Sequence, residues 1–141
     1  MTDTIILDRL IKSARIDFSK LFVWGERVTV QEVEEFLSTR KIGTKIPYGD
    51  NHKHIPDIKE KGYHISRVAY FVQHPEEITD IDVDNQCIGM YITSRAIVTD
   101  GWHRLMAAYI LGLKTIEANY GGRVDILEYL QGLRSEEDLE D

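Results

Sequence analysis

The chain has 141 residues, 43% apolar and 9% aromatic, which is the composition of a globular domain with a real core rather than a disordered segment. No apolar run approaches the ~20 residues that span a bilayer, and Met1-Thr2-Asp3-Thr4 places no basic stretch before an apolar one, so a cytoplasmic, membrane-free protein is expected. The net charge of −7 is largely local: without Glu136, Glu137, Asp138, Glu140 and Asp141, 17 basic residues face 19 acidic ones, leaving −2 and no basic footprint for nucleic acid.

Asp3 to Ala14 predicts a first helix, with Ile6, Leu7, Leu10 and Ile11 on one apolar face. Leu21 to Trp24 is short, apolar and aromatic, and Gly25 ends it, as in a strand or tight connection. Thr29-Val30-Gln31-Glu32 is a capping-box pattern opening a helix that runs to about Ser38 through Val33, Phe36 and Leu37. From Gly43 to Gly62 periodicity collapses among Pro47, Gly49, Asp50, Asn51 and Pro56, which predicts a long irregular loop of the kind that carries function. Ile65 to Gln73 predicts a helix, with Pro75 beyond its end, and Ile78 to Val83 alternates apolar and acidic residues like a half-buried strand. Asp84-Asn85 reads as a turn, Cys87 to Ile92 as a strand and Ser94-Arg95 as another turn. After a motif helix closed by Gly112, Thr115 to Tyr120 predicts a strand and Val124 to Leu133 a last amphipathic helix. The expected fold is α/β in the α+β sense: one domain over 1–134, with a small mixed sheet flanked by helices, and an acidic tail over 135–141. The last helix, with Ile126, Leu127, Leu130 and Leu133, is expected on its own sheet, the rival being a second copy of the chain.

The chemistry concentrates in Ile97-Val98-Thr99-Asp100-Gly101-Trp102-His103-Arg104, where an apolar run ends in Asp-Gly and turns into a helix. The first amides of a helix have no intrahelical acceptor and its dipole favours anions there. Gly101 has no Cβ to hold a ligand off the backbone, and Arg104 offers a planar fork to an oxyanion. A cation in that turn opposes the dipole, so a bound anion relieves a small local cost. Asp100 fits two roles, a simple helix cap worth ~1 kcal/mol or a group that does chemistry. His103 is either a donor to the anion or a core histidine satisfied by backbone. Trp102 reads as core or as a pocket wall.

These residues, with Ala107-Ala108 and Leu111-Gly112-Leu113, resemble the Asp-Gly-x-His-Arg…Ala…Leu-Gly-Leu signature of the ParB/sulfiredoxin-like fold. That group includes the nucleotide-binding domain of plasmid and chromosome partition proteins, sulfiredoxin, and free-serine kinases. The likeness covers roughly half the chain, taking in the predicted helix at Ile65–Gln73, the strand at Ile78–Val83 and a hairpin from Cys87 to Val98. It implies that Arg104 contacts phosphate together with the Gly101 and Trp102 amides. It also implies that Asp100 takes part in phosphoryl transfer, as base or through Mg²⁺, with ATP or CTP as nucleotide. Where sulfiredoxin has its nucleophilic cysteine this chain has Trp102, and the single cysteine, Cys87, stands well before the motif, so sulfinic-acid reduction is not expected. One cysteine also excludes a disulfide framework and a cysteine-rich zinc site.

Two weaker groups remain. His52, His54 and Asp57 put two histidines on one side of an extended segment, as a metal site would, though solvated loop histidines are commoner. Asp80, Asp82 and Asp84 resemble the start of a calcium loop, but Asn85 stands at the glycine position and Tyr91 at the glutamate position, so an acidic strand face explains them better. The expected function is binding of a nucleotide or other phosphorylated ligand at Asp100–Arg104, with Asp100 and His103 catalytic if phosphate is hydrolysed or transferred with Mg²⁺. The alternative is a non-catalytic ParB-like adaptor from a plasmid, phage or stress locus that binds a protein partner. DNA binding is a weaker expectation, since about twenty residues after the last predicted strand are too few for a helix-turn-helix domain, and so is nuclease activity, since no further metal-binding carboxylate cluster stands beside the motif.

Overall fold

The structure, a computed structural model, describes residues 2–18, 22–23, 26–39, 42–43, 61–87 and 91–139. These residues form an α+β fold, and among them are five α-helices and a four-stranded mixed sheet. By contacts the chain divides into two units, the first made of Met1–Ile16, Thr79–Trp102 and Gly112–Asp141, the second of Asp17–Ile78 and His103–Leu111.

The first unit opens with a correction. The apolar stretch expected as one helix is a strand, β1 (Asp3–Ile6), running directly into α1 (Leu7–Ala14). Thr4, Ile5 and Ile6 are β-branched and favour the strand, and a partner decides it. β1 pairs antiparallel with β6 (Thr115–Tyr120), Ile5 opposite Ile116, and Thr4 Oγ1 donates to Glu117 Oε1 at 2.9 Å. Leu7 N–H then donates to Lys114 O, so the helix start is satisfied by backbone rather than by a capping side chain. α1 ends at Arg15 in the left-handed region (φ 54), its N–H on the Ile11 and Lys12 carbonyls.

The sheet has the order β1-β6-β4-β5. β4 (Ile81–Cys87) lies parallel to β6 and antiparallel to β5 (Tyr91–Asp100). Both turns expected inside this hairpin are strand instead: β4 continues through Asp84-Asn85 and β5 through Ser94-Arg95. Asn85 is turn-forming in isolation, but here it is buried and its Oδ1 accepts from Arg123 N at 2.8 Å. Asp84 Oδ1 accepts from Asn85 N at 2.6 Å, and the ladder absorbs the local distortion as a register shift between Asp84 and Gln86. β4 starts later than expected, after a 3-10 turn at Pro75–Glu77 and a left-handed Asp80 (φ 55). Asp82 is only half-buried, and its Oδ1 accepts from Asn119 Nδ2 at 2.8 Å.

α1 and α5 (Val124–Leu130) pack on each other and on β1 and β5, burying Leu7, Leu10, Ile126 and Leu130 over Ile5, Ile116 and Val98. The last helix therefore serves its own sheet, as expected, although it stops at Leu130 and leaves Leu133 exposed. Arg9 closes α5, its Nη1 donating to the Tyr129 and Arg134 carbonyls at 2.7 and 2.9 Å while its Cζ lies 4.9 Å from the Tyr129 ring centroid. The acidic segment is engaged at its start: Glu136 Oε2 lies 2.7 Å from Lys12 Nζ.

The second unit holds a two-stranded ribbon, β2 (Phe22–Val23) with β3 (Glu26–Arg27), and helices α2 (Val30–Ser38), α3 (Lys61–Gln73) and the body of α4 (Trp102–Leu111). The capping box forms as its sequence predicts, Glu32 N–H donating to Thr29 Oγ1 and Thr29 N–H to Glu32 Oε1. α3 starts earlier than periodicity indicates and takes in Gly62. The remainder of the expected loop, with His52, His54 and Asp57, lies outside the described residues. No helix among them is long and apolar enough to cross a membrane.

Candidate functional site at the start of α4

Gly101 joins β5 to α4 with φ 91, a backbone state that glycine adopts without steric cost. A Cβ there would lie 3.0 Å from Ile81 Cα and 3.2 Å from the Asp80 carbonyl oxygen. Its bare side therefore faces the start of β4, not a ligand. Its N–H donates to Asp100 Oδ1 at 2.8 Å, so the residue expected to offer an amide to phosphate already shares it with the neighbouring carboxylate. Asp100 is exposed and Trp102 half-buried. The helix closes on Gly112 at φ 70, the left-handed cap its sequence predicts.

The unit boundary falls inside the motif, between Trp102 and His103. His103 is 7% exposed and His64, from α3, is 0% exposed. Their rings stack at 5.3 Å between centroids and 14° between planes, and His103 Nε2 shares a hydrogen bond of 3.0 Å with His64 Nδ1. Such a bond needs one nitrogen bearing hydrogen and the other bare, so the pair cannot hold two extra protons. Burial, then the charge of Arg67, pushes His64 down to about 4. His103 goes to about 2, by burial first and then by Arg67, His64 and Arg104. Both rings are neutral at physiological pH, and His103 is a core histidine hydrogen-bonded to another histidine.

Positive charge gathers beside this neutral pair. Arg104 Cζ lies 5.1 Å from the Phe71 ring centroid, and Arg67 Cζ lies 5.5 Å from the same ring. The aromatic face attracts each cation, while the two guanidinium groups repel one another through it. Arg67 is buried at 7% exposure, where arginine is rare. Arg104 is half-buried, and its Nε is buried with no hydrogen-bond acceptor among the described residues. An oxyanion reaching this group would satisfy that donor and lower the repulsion at once.

The sequence singles out His103 and Arg104, but neither Arg67 nor His64. A signal was present: His64, Arg67 and Phe71 follow each other at three and four residues, which aligns them on one face of α3. Nothing in one helix says which other helix that face meets. Among the described residues no group of three or more His, Cys, Asp or Glu side chains is arranged to hold a metal ion. Comparison of the chain with protein-family models, with curated proteins and with solved structures gives no match.

Proposed function

We propose that this protein binds a nucleotide or other phosphorylated ligand at the N-terminus of α4, through Arg104. The observation that carries the reading is the buried Nε of Arg104, which has no acceptor among the described residues, in the first turn of a helix whose arginine shares Phe71 with a second arginine. A helix start attracts anions, and a planar guanidinium with a spare donor suits a phosphoryl oxygen. The Trp102 amide belongs to the same first turn and is the backbone donor of this reading. Arg67 adds charge from α3. Asp100 would hold Mg²⁺ against the ligand phosphates or act as base if phosphate is transferred or hydrolysed, with ATP or CTP as substrate. The resemblance to the ParB/sulfiredoxin-like fold, a cytoplasmic location and a plasmid or phage setting belong to this same proposal.

A second reading, binding without chemistry by an adaptor module, draws on the two side chains assigned to catalysis. The Asp100 carboxylate accepts from the adjacent Gly101 N–H, and His103 is committed to His64 inside the second unit. Thermal unfolding with Mg²⁺ and ATP, CTP, GTP or ADP, beside Arg104→Ala, separates the readings. Ligand at a hundred times its dissociation constant adds ~2.7 kcal/mol. One nucleotide is expected to raise the midpoint in the native protein and to lose that effect in the variant. No shift with any nucleotide would remove the nucleotide reading and leave the adaptor.

A further inference from the structure

The first unit contains a second concentration of positive charge, remote in sequence from the α4 motif. The end of α1, the middle of β5, the end of α5 and the segment after it border an open surface cavity of about 220 Å³. Among the described residues three exposed cations line it, Lys12 and Arg15 from the end of α1 and Arg95 from β5, with one exposed carboxylate, Glu136. Two hydroxyl residues, Ser13 and Tyr129, complete the polar wall.

The fold builds this cluster. The left-handed turn at Arg15 is held by two backbone bonds at the end of α1, which fixes where that residue leaves the helix. Ser13 Oγ accepts from Ala96 N at 2.8 Å, tying α1 to β5 beside Arg95 and leaving the Ser13 hydroxyl hydrogen to donate elsewhere. Tyr129 is buried, with the Arg9 guanidinium over its ring.

An anionic group already touches the cluster: Glu136 Oε2 lies 2.7 Å from Lys12 Nζ. Both side chains are largely exposed, at 58% and 67%, and so open an ion pair is weak. A doubly charged oxyanion that can also take forked bonds from Arg15 and Arg95 would outcompete a single carboxylate. The space equals roughly seven water volumes at ~30 Å³ each, more than one phosphoryl group fills.

We propose that this cavity is an anion site for a phosphorylated small molecule, and that Glu136, at the head of the acidic segment, is an internal occupant which the ligand displaces. It does not depend on the α4 site, because every lining residue belongs to the first unit and none to the Asp100–Arg104 motif. Calorimetric titration of the full chain with ribose 5-phosphate, followed in parallel by its ³¹P resonance, tests the site. Binding is expected to tighten several-fold in Glu136→Gln, to weaken at least tenfold in Arg15→Gln and in Arg95→Gln, and to be displaced by excess inorganic phosphate. In the Arg104→Ala background, where the α4 site is removed, the remaining binding is expected to show the same dependence on Arg15, Arg95 and Glu136. Circular dichroism checks that each variant is folded. Unchanged affinity in Glu136→Gln, or in both arginine variants, would overturn the proposal, as would resistance to inorganic phosphate. Loss of binding in Arg104→Ala would place the ligand at α4 and overturn it too.

Discussion

Gly101 shows how one residue carries two physical demands that its sequence context does not separate. An Asp-Gly pair before a helix predicts a sharp turn, and the turn is there, at φ 91. Closeness of a ligand to the bare backbone is the other natural reason for glycine, yet a Cβ on the bare side would lie only 3.0 Å from Ile81 Cα. Strand packing and positive φ therefore both demand glycine. Gly101→Ala is expected to destabilise the protein by about 1–3 kcal/mol, the usual cost of a strained backbone position, read as a lower urea midpoint at unchanged slope. A substitution cost near zero would mean that neither demand operates. Arg104 is the complementary case. Its place in the first helical turn is legible from the residues, whereas its position over the Phe71 ring depends on α3.

Elements with a self-contained signal form as read. The capping box needs only Thr29 and Glu32, three residues apart, and both of its backbone bonds are made. Thr29→Ala should cost ~1 kcal/mol, measurable by chemical denaturation, with Thr29→Ser restoring most of it. A serine variant as weak as alanine would mean that the methyl group, not the cap, is what matters. Elements that need a partner depart from what their local residues predict. Residues 3–6 share the apolar spacing of the helix that follows, and only β6, over a hundred residues away, turns them into a strand. Asp84-Asn85 carries a turn composition, but the buried Asn85 side chain finds the Arg123 amide and lets the strand run on. Local propensity lost in both places to long-range hydrogen bonding, which single-sequence periodicity does not contain.

Taken as a whole, the molecule has a stability that should depend on acid through the His64–His103 pair. Both histidines have folded pKa values below the ordinary 6.5, so the unfolded chain binds their protons first. Stability contributed by the neutral pair is complete above pH 6.5 and is lost as pH falls below it, by up to about 1.4 kcal/mol per pH unit for each histidine. Urea unfolding at pH 7, 6 and 5 should show this fall, and His103→Asn should flatten it whatever its effect at pH 7. Equal slopes in the two proteins would mean that other groups drive the acid response. By itself the sequence determined the α+β class, the capping box, the strand at 115–120, the Asp-Gly turn into α4 and its glycine cap, because each rests on residues within a few positions of one another. Tertiary structure alone decided that His103 meets His64, that Arg67 joins Arg104 at Phe71, and that Glu136 returns to Lys12. Those pairs are separated by tens of residues or more, and their meeting depends on how helices and strands pack, which periodicity along the chain does not encode.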